Sequence, residues 1–166
     1  MAVELATKSD IQDIMGLIEL CKKDLEKQAI YQWNDYYPTE EHIKGNIDDG
    51  TFYILKYEHA SIGTVSVTEK QPLEYGNIDW EDKSGDVVVI TKLMVHPEFQ
   101  KRGCGRKLMD FAEDHALSKN YSSIRLDAYT GNQRAIKLYE ARGYNKIGQI
   151  MFPERELPFY CYEKLF

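Results

Sequence analysis

Three cysteines in 166 residues, Cys21, Cys104 and Cys161, are odd in number and far apart. They form neither a disulfide framework nor a metal-ligand spacing, so no metal is expected. A chain without disulfides has a reducing cytoplasm as its default setting. No apolar run approaches the ~20 residues that cross a bilayer, so no membrane-spanning helix is expected. The first residues, MAVELATKSD, carry no basic patch followed by an apolar run, and no secretory signal is read there. The basic excess of a general nucleic-acid binder is missing too, because the net charge is −6. Neither GxxxxGK[ST] nor GxGxxG occurs, which removes the phosphate loop of the NTPases and the dinucleotide fingerprint.

What is present suits one globular domain over residues 1–166, with 43% apolar and 12% aromatic residues to build its core. Val3 to Thr7 reads as a short strand, with Ser9 or Asp10 capping a helix that carries Ile11, Ile14, Ile18 and Leu25 at helical spacing. Tyr31 to Pro38 interrupts the pattern with bulky aromatics, and Thr39 caps a second helix from Glu40 to about Ile47. Thr51–Tyr57 and Ala60–Thr68 read as a hairpin, and residues 69–86 as a long polar loop of the kind often kept for function. Asp86 to Val95 is a strand apolar on both faces, as a central strand is. Helix, strand and helix follow to about Arg142, then two closing strands, Tyr144–Met151 and Phe159–Leu165. That order predicts an α/β (α+β layered) domain, a mixed sheet of about seven strands with helices on both faces.

The most informative stretch is Leu93 to Lys107, LMVHPEFQKRGCGRK. An apolar strand ends at His96-Pro97, a glycine-rich turn follows, and a helix begins. Such a start presents free backbone N–H groups to a phosphate, and Gly103 and Gly105 let the chain approach a ligand. Residues 100–107 hold four bases and no acid, whereas residues 69–86 hold six acids and two lysines. The first segment suits an anion, most simply a pyrophosphate. The second suits a cation or is a solvated acidic loop.

Val95-x-Pro97-x-x-Gln100-x-x-Gly103-x-Gly105 resembles the acetyl-CoA signature of the GNAT N-acetyltransferases. A second run, Leu126-Asp127-Ala128-x-x-x-Asn132-x-x-Ala135-x-x-Leu138-Tyr139-x-x-x-Gly143-Tyr144, resembles the other recurrent motif of that family. The resemblance implies the acyl-CoA N-acyltransferase fold, acetyl-CoA as co-substrate and transfer of its acetyl group to a primary amine. It implies that backbone groups of Leu93, Met94 and Val95 line the pantetheine beside a strand bulge whose position the sequence leaves open. Gln100, Lys101, Arg102, Gly103, Cys104, Gly105 and Arg106 would form the pyrophosphate loop, and Asn132 would contact the pantetheine arm. Tyr139 would protonate the departing thiolate, a form of general-acid help typically worth ~100- to 10,000-fold.

The base that takes the amine proton is left open among Glu69, Asp86, Asp127 and water. Asp127 reads first as a structural group that caps or braces the neighbouring helix. His96 is expected to face away from the amine. Cys104 lies where the loop backbone does the binding, so direct attack in a ternary complex is favoured over a cysteinyl intermediate. Trp33, Tyr37 and Trp80 are candidates for an acceptor pocket, with the acids of residues 69–86 as its opposite wall and a small cationic amine as its occupant. A protein or peptide amine, or a non-catalytic acyl-CoA-binding module, are the alternatives. The closing strands leave room for a homodimer.

Overall fold

The computed structural model describes all residues, 1–166. The strands are β1 (Ala2–Leu5), β2 (Phe52–Tyr57), β3 (Ala60–Thr68), β4 (Val87–Val95), β5 (Ser123–Tyr129), β6 (Asn145–Ile150) and β7 (Phe159–Leu165). The helices are α1 (Ile11–Lys27), α2 (Glu40–Asp48), α3 (Cys104–Ser118) and α4 (Gln133–Ala141). One seven-stranded sheet runs in the order β1-β2-β3-β4-β5-β7-β6. Only β4 and β5 are parallel neighbours, joined by α3, and β7 inserts between β5 and β6.

The layers follow from side-chain alternation along the strands. Val88 and Ile90 pack with Leu108, Met109 and Ala112 of α3 and with Ile136 and Tyr139 of α4. Phe52, Ile54 and Met94 pack on the other side with Ile14, Leu17 and Ile18 of α1 and Ile43 of α2. A third cluster joins Tyr75 and Trp80 of the long loop to Val89, Tyr129 and Phe159. Helices cover both faces, as the element order predicts.

Two local differences from the sequence reading have simple causes. A short 3-10 turn at Lys8–Asp10 precedes α1, and its cap is a reciprocal pair one turn earlier than expected. The Asp10 carboxylate accepts from the Thr7 N–H at 2.8 Å, while the Asp10 N–H donates to the Thr7 carbonyl at 2.9 Å. Thr39 does cap α2, accepting from the His42 N–H at 3.4 Å. The second difference is the loop 69–86, which is fastened down. Asp82 accepts from the Ser122 and Ser123 hydroxyls at 2.5 and 2.6 Å, and these bonds hold its carboxyl well below the usual range. The Arg125 guanidinium donates to the Asp82 carbonyl and lies 4.4 Å from the Trp80 ring centre.

The centre of the sheet is where its pairing fails. β4 and β5 pair at Val87–Ser123, Val88–Ile124 and Val89–Arg125 and no further, so the two strands diverge from Ile90 onward. On its other edge β4 slips register against β3 between Thr91–Ser66 and Met94–Thr64. Lys92 sits in this bulge with φ +55°, and its carbonyl accepts from the Thr64 hydroxyl at 2.7 Å. One extra residue reverses the alternation, which is why Ile90 faces α3 while Met94 faces α1. Divergence on one side and a bulge on the other leave β4 backbone groups after Lys92 facing an open gap. No helix is long and apolar enough to cross a membrane, and no group of three or more His, Cys, Asp or Glu side chains is placed to hold a metal.

Candidate active site

Two cavities open on either side of that gap. The first, of 340 Å³, is lined by Leu93 and Val95 of β4, by Gln100, Lys101, Gly103, Cys104, Gly105 and Arg106 of the turn into α3, and by Asn132 and Tyr139 of α4. The second, of 380 Å³, is lined by Trp33, Tyr36, Tyr37 and His42, by Thr91 and Lys92, by Asp127, and by Phe152 and Arg155. Gln32, Trp33, Leu93, Ala135 and Tyr139 belong to both linings, so the cavities meet at the diverging strands. Pockets of this size suit small ligands or segments of larger ones.

The turn into α3 has the geometry of an anion cradle. Gly103 takes φ +81° as the N-cap of α3 and no side chain caps the helix, so its first N–H groups are free. A side chain at Gly103 would be strained by that angle even though nothing lies within 4 Å of its would-be Cβ. At Gly105 a Cβ would meet only Val95 Cγ2, at 3.9 Å. Protein packing therefore tolerates alanine at Gly105. The Gln100 side chain is occupied elsewhere: its Nε2 donates to the Val95 carbonyl at 3.2 Å and its Oε1 accepts from Arg134 at 2.7 Å. It ties the strand end to α4 and shapes the turn.

Tyr139 is 7% exposed and lines both cavities. Burial and the nearby Asp127 charge push its phenol well above the ordinary value, so the group is protonated at any working pH. Asn132 caps α4, accepting from the Ala135 N–H at 3.1 Å, while its Nδ2 reaches Gln32 Oε1 at 2.7 Å.

Among the three carboxylates considered as bases, only Asp127 lies in either cavity. Burial raises it to about 6, and its carboxylate accepts from the Tyr75 hydroxyl at 2.6 Å. Glu69 accepts from the Tyr121 hydroxyl, and Asp86 stands just before β4 at its unsplayed end. Asp127 caps no helix; it braces Tyr75 and faces the second cavity.

Several expected site residues lie elsewhere. Trp80 is 5% exposed and packs beneath Arg125, donating from its indole N–H to the Tyr75 carbonyl at 2.9 Å. It lines neither cavity, and the acids of residues 69–86 form no wall of the second one, whose only loop residue is Pro72. The Met94 side chain is core, and the Arg102 guanidinium lies 5.3 Å from the Phe99 ring centre, outside the first cavity's lining. The Cys104 side chain is core as well, while Trp33 and Tyr37 do line the second cavity.

Lys92 and Arg155 were missed. Lys92 had a signal, a lone charge inside the apolar run VVVITKLMV. Arg155 had none, since the fold of the β6–β7 loop decides where it lands. That loop is held over the cavity by two bonds to the segment after α1. Asn34 Nδ2 donates to the Glu154 carbonyl at 3.3 Å, and Arg155 Nε donates to the Gln32 carbonyl at 2.8 Å.

Residues 17–144 match the model of the Acetyltransferase (GNAT) family. An uncharacterized N-acetyltransferase, YesJ of Bacillus subtilis (strain 168), is 23% identical over 146 residues, 86% of this chain and 81% of that one. The [ribosomal protein bS18]-alanine N-acetyltransferase of Salmonella typhimurium is 33% identical over 61 residues, and this match spans 37% of this chain and 41% of that one. Among solved structures, the acetyltransferase yncA of Salmonella typhimurium with its cofactor acetyl-CoA shares the fold. Its TM-score is 0.73 at 17% identity, over 99% of this chain and 93% of that one.

Proposed function

The chain belongs to the GNAT acetyltransferase family, and on that premise we propose that it moves the acetyl group of acetyl-CoA directly to the primary amine of a small molecule held in the second cavity. The single observation behind this reading is the meeting of the two cavities at Tyr139.

In this proposal the pyrophosphate sits at the free N–H groups of Cys104, Gly105 and Arg106, with Lys101 and Arg106 beside it. The pantetheine runs along the gap, taking backbone hydrogen bonds from Leu93 and Val95 as an added strand does, with Asn132 at its side. A backbone N–H after the bulge meets the thioester oxygen and stabilises the negative charge that develops there.

The acceptor amine reaches the thioester carbon from the second cavity. Asp127 takes the ammonium proton, directly or through water, and the neutral nitrogen attacks. A C–N bond forms, the C–S bond breaks, and CoA leaves as a thiolate. Tyr139 donates a hydrogen bond to that sulfur. Its raised pKa makes complete transfer to a thiol near 8.5 uphill, so its help is stabilisation of the developing charge. The proton that finally reaches the sulfur comes from the amine or from solvent. Cytoplasmic action and a homodimer are part of the proposal, with the edge strand β6 as the element that meets its copy.

Acetyl-CoA incubated with the protein and a panel of small amines and peptides tests the reading. Thiol release with an acetylated small amine is the expected result, and acetylation of peptides alone moves the acceptor to the protein class. A second reading, a protein-amine acceptor, has the 61-residue likeness to the bS18-alanine enzyme in its favour. Enclosure of the second cavity by Phe152, Glu154 and Arg155 favours the small molecule.

A further inference from the structure

The second cavity is aromatic, as a pocket for a cation is expected to be, yet its walls carry two cations of their own. Lys92 Nζ lies 5.2 Å from the centre of the Tyr37 ring, and the Arg155 guanidinium carbon lies 5.8 Å from the same centre. Two cations from distant parts of the chain thus converge on one ring. Neither has a carboxylate within 4.0 Å, although most buried charges in proteins are paired. Lys92 is half-buried in the bulge with burial alone acting on it, and its pKa falls to about 8. Arg155 spends Nε on the Gln32 carbonyl and one terminal nitrogen on the Pro153 carbonyl, which leaves its other terminal nitrogen free.

The acids of the cavity form no ion pair with either cation: Asp127 accepts from the Tyr75 hydroxyl at 2.6 Å and acts on Arg155 only across a longer gap, and Glu154, which also acts on Arg155, is exposed. His42 adds no anion: its Nδ1 accepts from the Thr39 N–H at 3.0 Å, and burial and the Lys92 charge hold its pKa down. The phosphates of the donor cannot be the partner either. Lys92 and Arg155 line only the second cavity, while the basic turn at Lys101 and Arg106 lies in the first.

We infer that the acceptor carries a carboxylate beside its amine, as a free amino acid does, and that Lys92 and Arg155 bind that carboxylate while Asp127 receives the ammonium. The inference rests on the transfer reading above and narrows it. The cationic end of the acceptor is its reacting nitrogen, and its far end is anionic. A polyamine would meet two unpaired cations in this cavity. A peptide N-terminus has its α-carboxyl tied up in an amide and leaves both cations unanswered. The charge pair also aids the chemistry, because positive groups near an ammonium favour its neutral, nucleophilic form. The remaining walls, Trp33, Tyr36, Phe152 and Pro153, suit an apolar or aromatic side chain.

Calorimetry on the full chain saturated with CoA, with each of the common L-amino acids and its α-carboxamide, tests the inference. The amide keeps the amine and the side chain and removes the negative charge. At least one free acid is expected to bind about tenfold or more tightly than its amide, the scale of a lost hydrogen bond to a charged group. Arg155→Gln and Lys92→Gln are each expected to shrink that gap by weakening the acid alone. Arg155→Lys should keep part of it, having the charge without the planar fork. Unchanged acetyl-CoA affinity in these variants shows that they fold. Amides binding as well as acids, no amino acid binding, or a gap that survives both glutamine variants would overturn the inference. Preferential binding of an acid with no thiol release from acetyl-CoA would leave the carboxylate site standing and sink the transfer reading. Thiol release with simple amines and no preference for acids would do the reverse.

Discussion

The two cavities that meet at Tyr139 are built in opposite ways. The first is built around a helix start, two glycines and one splayed strand within residues 93–106, with α1, the segment after it and α4 closing it from the sides. The second is made of side chains brought from the segment after α1, from the bulge in β4, from β5 and from the β6–β7 loop. A side-chain site assembled from many separate segments can change its ligand without disturbing the fold. On the proposed reading the first cavity takes the donor and the second the acceptor.

Substitutions on one side should leave the other untouched, and the largest separation is expected at Gly103. Gly103→Val places a β-branched residue at φ +81° and disrupts the first turn of α3. Acetyl-CoA affinity should drop by about a hundredfold or more by calorimetry, at a strain cost of about 1–3 kcal/mol plus the lost N–H contacts. Retained micromolar affinity would remove the helix start from the donor site.

Asp127→Asn belongs to the acceptor side and should lower kcat/KM by about a hundredfold at pH 7. The native profile should rise as pH climbs through about 6, where Asp127 ionises, and the variant should lose that limb. Stability should move the other way. The folded-state pKa, about 6, lies above the unfolded 3.8, so the ionised carboxylate costs the folded state stability above pH 6 and nothing well below pH 3.8. The variant should melt higher than the native protein at pH 7.5, and the gap should close towards pH 4. A smaller effect is expected at Trp33, which touches both cavities. Trp33→Ala should raise the acceptor KM about fivefold and shift acetyl-CoA affinity less, a loss of about 1 kcal/mol of aromatic contact. An equal loss on both sides would blur the division between the cavities.

The same division decides what could be read from the chain. The glycine turn into α3 was legible because its pattern is local, with Gly103 and Gly105 close behind an apolar strand and among four bases. Tyr139 and Asn132 were singled out through family resemblance, and both line the first cavity. The order of elements along the chain was legible from their periodicities, whereas the crossover that sets β7 between β5 and β6 was not. The bulge at Lys92 was not, because it shows only when β4 is set in register against β3. Trp80 misled because an aromatic residue in an acidic loop looks like a pocket wall, and only the fold shows Arg125 and Tyr75 taking it into the core. Arg155 was invisible because two backbone hydrogen bonds, rather than anything local to it, aim it at Tyr37.

The proposed meeting of donor and acceptor at Tyr139 is tested most directly by measuring kcat and acetyl-CoA affinity together in Tyr139→Phe. The variant loses only the oxygen, and its ring still packs against Tyr144 and Tyr162. The expected result is a kcat about a hundredfold lower with acetyl-CoA affinity within about twofold of native, one hydrogen bond removed where charge develops and none where the ligand is held. An unchanged kcat would take Tyr139 out of the reaction and leave the junction of the cavities without its chemical centre.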